Sequence, residues 1–166
     1  MVSYLNRRKF LIFLFLVAFG GCAKPSLSLE KTTPKIIFFS TKDFRFYDTG
    51  LIKSYSNGDI SLEIFNAGHL LLEFYVSKNR ICLNQQCYAT ASLIRKLFGN
   101  DGLLELDFKA ILEGREIFMG KNKKILKEGY EQRINDANNQ VVYKVTTGTI
   151  SFKELKSGFS LIISGI

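Results

Sequence analysis

Residues 59–76 carry two runs of alternating polarity that face each other across a short turn. In Asp59-Ile-Ser-Leu-Glu-Ile-Phe65, the side chains of Ile60, Leu62 and Ile64 fall on one face. In His69-Leu-Leu-Leu-Glu-Phe-Tyr-Val76, Leu70, Leu72, Phe74 and Val76 do the same. A period of two marks a half-buried strand, and Asn66-Ala67-Gly68 between the runs is a hairpin signal. Such a chain must build an antiparallel sheet with one apolar face, and something else in the chain must cover that face.

The flanking segments extend this pattern. Lys35–Ser40 and Phe44–Tyr47 are aromatic and β-branched, and strands return near Tyr130–Ile134, Gln140–Thr146, Gly148–Leu155 and Gly158–Ser164. Between the two groups the period changes. Leu93, Ile94, Leu97 and Phe98 form one helical stripe in Ala91–Phe98, which ends at Gly99-Asn100-Asp101-Gly102. Leu104, Phe108, Ile111 and Leu112 follow the i, i+4, i+7, i+8 spacing of a second amphipathic helix closed by Gly114. Strands, a helical interruption, then more strands predict an α+β meander in which the helices cover one face of a curved sheet.

The N-terminus predicts the compartment. Phe10–Phe19 is about ten apolar residues, roughly 15 Å as a helix, and a bilayer core of about 30 Å needs twice that. Arg7, Arg8 and Lys9 precede the run, and Gly20 and Gly21 follow it, as in an export signal. Phe19-Gly20-Gly21-Cys22 resembles the lipobox of bacterial lipoproteins, in which the cysteine is lipidated and becomes the new N-terminus. That resemblance implies lipidation at Cys22, and Ala23 after it, rather than aspartate, implies an outer-membrane destination facing the periplasm. Asn6-Arg7-Arg8-Lys9-Phe10-Leu11 also resembles a twin-arginine signal, although the strongly apolar run favours the general secretory route. The expected organisation is a signal peptide over 1–21, a lipidated cysteine and flexible tether over 22–34, and one domain over 35–166. Ala23–Pro34 is polar and holds both prolines of the chain, as suits a tether.

Removing the leader leaves 145 residues and takes three cations with it, so the net charge falls from +8 to +5. The basic residues are dispersed apart from Lys121–Lys124, read as a loop. A periplasmic address argues against nucleic acid and for anionic headgroups or an acidic partner. Two cysteines remain, in Arg80-Ile-Cys-Leu-Asn-Gln-Gln-Cys-Tyr88. Their spacing suits neither paired zinc ligands nor a redox C-x-x-C motif. With Asn84-Gln85-Gln86 as a turn, Cys82 and Cys87 would close a hairpin by a structural disulfide in an oxidising compartment.

Enzymatic motifs are sparse. Asp48-Thr49-Gly50 matches the aspartic-protease signature, but the chemistry needs a second carboxylate and the chain has no second D-T-G. It is read as a turn at the end of a strand. His69 is the lone histidine, at the start of a strand, and there is no nucleophile elbow, P-loop or dinucleotide fingerprint. The chain is therefore read as a non-enzyme without metal or cofactor.

The apolar content is high, at 46% with fifteen phenylalanines, and fits either a filled core or a sheet wrapped around an acyl-binding cavity. From Phe44 to Phe118 the order of elements resembles the LolB family of outer-membrane lipoprotein receptors. The matching features are the strand–turn–strand Ile60–Phe74, a short hairpin, the helix Ser92–Phe98, a glycine-containing break, Leu103-Leu104-Glu-Leu106, a second helix and Leu112-Glu-Gly114. Thr149–Phe152 and Phe159–Ile163 echo the closing strands of the family. The resemblance implies an incomplete antiparallel β-barrel with a helical lid. It also implies an apolar interior, a LolA-like periplasmic carrier as partner, and acceptance of lipoproteins at the outer membrane by a monomer. Acyl contacts would come from Ile60, Leu62, Ile64, Leu72 and Phe74 on the sheet and Leu93, Leu97, Phe108 and Leu112 on the helices. The membrane-insertion turn of the family corresponds to Asn66, Ala67 and Gly68. It holds alanine where the family has a protruding leucine, and the tryptophan of the second helix is replaced near Ile111. Acceptor-type binding is therefore better supported than insertion. The alternative expectation is a scaffolding lipoprotein with a filled core and a protein partner.

Overall fold

The computed structural model describes residues 27–166, so the leader and Cys22 lie outside the described residues. One meander runs through β1 (Leu29–Ser40), β2 (Arg45–Tyr55), β3 (Ile60–Asn66), β4 (His69–Val76), β5 (Arg80–Leu83) and β6 (Gln86–Ala89). Helices α1 (Thr90–Phe98) and α2 (Phe108–Glu113) and a 3-10 turn at Phe118–Gly120 follow. A second meander comprises β7 (Lys123–Leu126), β8 (Gly129–Asn135), β9 (Gln140–Thr146), β10 (Thr149–Glu154) and β11 (Phe159–Ser164). The last strand returns to pair with the first, giving one antiparallel sheet in the order β6-β5-β4-β3-β2-β1-β11-β10-β9-β8-β7. The sheet does not close. Its two edges, β6 and β7, are consecutive strands, and the helical segment between them is the covalent bridge across the open seam.

Alternation sets which side chains enter the interior. Ile60, Leu62 and Ile64 of β3 pair with Val76, Phe74 and Leu72 of β4, and all but the half-buried Leu72 are buried. The pattern breaks at the hairpin tip. Phe65 pairs with Leu70 but Ile64 with Leu72, so Leu71 is an extra residue, a β-bulge. Leu70 is therefore carried off the face it was expected to share, and Leu70 and Leu71 are 52% and 40% exposed.

The first strand begins at Leu29, so Leu29–Pro34 belong to the sheet rather than to a tether. They pair with β2 from Tyr55 to Leu51. Proline is tolerated there because β11 covers only Ile36–Ser40, leaving β1 an edge at Pro34. The second strand is also longer than expected, and Asp48-Thr49-Gly50 is strand interior, not a turn. Gly50 is required by close approach: a Cβ there would lie 2.4 Å from the Glu63 carbonyl and 2.2 Å from Ile37 Cδ1. Lys123 and Lys124, read as loop, open the edge strand β7.

The helices are positioned by local signals. Gly99 adopts the left-handed conformation at the end of α1 and donates its N–H to Arg95 O. Helix α2 starts later than its apolar spacing suggests. Asp107 caps it by accepting the N–H groups of Lys109 and Ala110, so Leu104 precedes the helix in a turn. Across the β5–β6 turn, where Asn84 and Gln85 both have positive φ, Cys82 and Cys87 lie opposite each other and are joined by a disulfide.

Candidate functional site

The enclosed face of the sheet is the natural place to look for a site, and it is packed. Phe108 of α2 contacts Phe74 of β4 at 5.2 Å between ring centroids and Phe159 of β11 at 6.4 Å. Phe98 of α1 contacts Phe159 at 5.3 Å and Phe152 of β10 at 6.4 Å, and lies 6.3 Å from Phe108. Aromatic rings from both meanders and both helices thus interlock across the interior.

Each expected acyl contact can be placed within this packing. Ile60, Leu62, Ile64, Phe74, Leu93, Phe108 and Leu112 have at most 3% of their surface accessible. A void able to hold an acyl chain would leave accessible surface on the side chains lining it, so these residues form a filled core in this conformation. Leu72 and Leu97 are half-buried at its margin. Asn66, Ala67 and Gly68 form the exposed β3–β4 tip, with positive φ at Ala67 and Gly68.

The interior opens at one end. A cleft of about 380 Å³ lies where the β1–β2, β8–β9 and β10–β11 turns meet the C-terminal half of α1. Leu83, Leu93, Leu97, Phe98 and Phe159 supply its apolar lining, and Lys42, Lys96, Lys156 and Asp43 supply its charge. Leu93 and Leu97 are the expected contacts that reach it. Sequence reading missed the lysines because they come from three segments with no shared motif.

The two ends of the helical segment are held differently. The end after α2 is fixed by polar side chains of the sheet. Gln132, fully buried on β8, accepts the Ile117 N–H at 3.0 Å and donates to the carbonyls of Ile117 at 2.8 Å and Lys121 at 2.9 Å. Tyr130 donates to Gly114 O and Tyr143 to Arg115 O, each at 2.9 Å. Burial pushes both phenols above their usual range, most strongly at Tyr143, so they stay protonated donors. Around α1, by contrast, the side-chain hydrogen bonds are local: Arg95 to Asp101, and Asn100 to the Phe98 carbonyl. Helix α1 is attached to the sheet by apolar burial of Leu93, Ile94 and Phe98.

Other candidate chemistry is dispersed. His69 is exposed at the start of β4, and Asp48 bonds the N–H of its neighbour Thr49. Among the described residues no group of three or more His, Cys, Asp or Glu could hold a metal ion. Among the same residues no helix is long and apolar enough to cross a membrane. No protein-family model matches the chain, and no curated protein matches it significantly.

Proposed function

We propose that the chain is a lipid-anchored protein of the outer membrane, facing the periplasm, which accepts lipoproteins from a LolA-like carrier by binding their acyl chains. One observation carries this reading. Leu93, Ile94 and Phe98 of α1 are buried against the sheet, with Phe98 on Phe152 and Phe159, so displacing this one element uncovers the part of the apolar face it covers while α2 stays in place. In this reading the described conformation is the closed form and α1 is the lid. An entering chain replaces Phe98 and Leu93 against the sheet. Burial of the ligand, about 0.8 kcal/mol per methylene, offsets the loss of those contacts. The exposed Leu70 and Leu71 beside the β3–β4 tip offer apolar side chains close to where the family's insertion residue lies, in place of the alanine.

Two experiments test this reading. Leu97 is half-buried in the mouth cleft, so Leu97→Glu should abolish binding of a fluorescent fatty-acid probe while lowering the melting temperature only modestly. Absence of probe binding by the unmodified sequence would refute the receptor. For the anchor, Cys22→Ser should release the protein from membrane fractions, and retention through salt and carbonate washes would refute lipidation.

The interlocked aromatic core specifically favours a second reading, a scaffolding lipoprotein whose interior never opens. It predicts that the unmodified sequence binds no acyl probe and that α1 stays docked.

A further inference from the structure

We infer that the mouth cleft recognises an anionic head on the acyl ligand, so that the preferred ligand is a chain ending in a carboxylate or phosphate. This inference rests on the acyl-binding part of the proposed function alone: the acyl chains of a lipidated cysteine end in neutral esters and an amide, so an anionic head makes a free fatty acid or an anionic phospholipid a further ligand of the same cleft. The apolar part of the cleft is continuous with the interior: Phe98 and Phe159 line it and belong to the aromatic cluster beneath. The rim is different in character. Lys42 follows β1, Lys96 projects from α1, and Lys156 follows β10; all three are exposed, and none takes part in the ion pairs of the described residues. Lys96 lies 5.3 Å from the centre of the Tyr88 ring, and Lys156 donates to the Ala137 carbonyl at 2.8 Å. Both contacts restrain the side chains without neutralising them.

Opposing charge is limited. Among the described residues Asp43 is the one carboxylate lining the cleft. Asp136 is near enough to Lys156 to feel its charge, but its carboxylate accepts the backbone N–H groups of Asn138 and Asn139. Three ammonium groups against one carboxylate, above an apolar floor, complement a ligand with an anionic end and an apolar body. A neutral alcohol of the same chain length makes the apolar contacts alone. The arrangement also fixes direction, with the head at the rim and the tail towards Phe98.

The test uses the mature chain carrying Cys22→Ser, which retains every described residue and needs no detergent. Oleate, lysophosphatidylglycerol and oleyl alcohol, each below its aggregation concentration, compete against a fluorescent fatty-acid probe. The expected result is that both anions displace the probe at concentrations about tenfold lower than the alcohol, with the advantage shrinking at high salt. Whichever anion is more effective identifies carboxylate or phosphate as the better head. Lys42→Gln with Lys96→Gln should erase the advantage while leaving the melting temperature and alcohol binding unchanged. Equal displacement by alcohol and anions overturns the head-group inference and leaves acyl binding intact. An anion advantage that survives in the double variant overturns the assignment to these lysines. Failure of all three ligands to bind overturns the acyl-binding reading itself.

Discussion

Gln132 shows how much a single polar side chain can fix in an apolar interior. Its amide satisfies one N–H and two carbonyls in the irregular stretch after α2, where Phe118, Met119 and Asn122 all have positive φ. Left-handed backbone at bulky residues is costly and persists only where surrounding contacts impose it. Gln132→Leu keeps the volume roughly but removes all three partners. Burying those backbone groups unpaired should cost about 3 kcal/mol, read as a lower urea midpoint. A change below about 1 kcal/mol would mean that the stretch is held by something other than this amide.

At the scale of the element, α1 and the stretch after α2 differ in how they are held, and the lid proposal depends on that difference. Apolar packing resists separation without tying particular atoms together, whereas the carbonyls of Gly114, Arg115, Ile117 and Lys121 are each bonded to a sheet side chain. Hydrogen exchange should therefore show α1 amides opening well below the free energy of global unfolding, while residues 110–117 exchange nearer the global limit. Uniform protection across both would count against α1 as a separate lid.

The same elements show what was legible in the sequence. Helix α1 was readable because its stripe and its terminal glycine agree, and β3 because its alternation is uninterrupted. The bulge at Leu71 was not, since one extra residue leaves a run of three leucines that fits either register. The N-terminal half of β1 is a polar edge segment and β7 is a four-residue edge strand with Lys123, Lys124 and Ile125 exposed, both stabilised by pairing rather than by burial of alternate residues, so neither carries a strand signature. The start of α2 is not legible in the apolar spacing, because it is set by the side chain of Asp107, which caps the helix after the turn that holds Leu104. For the site, the apolar candidates were identified as inward-facing, but the rim lysines are brought together only by the turns and α1 at the open end.

For the whole molecule, an unclosed sheet bridged by a helical segment can either remain a filled structural domain or exchange its own side chains for a ligand. The central claim is that an acyl chain takes the place of α1 against the sheet. A fatty acid bearing a photoreactive diazirine near its methyl end locates the chain directly. After irradiation with the mature chain and peptide mapping, the account predicts covalent labelling of the positions that Phe98 covers, Phe152 and Phe159, suppressed by excess oleate and absent in Leu97→Glu. Labelling confined to exposed residues such as Tyr47 or Ile125, or none above background, would contradict it.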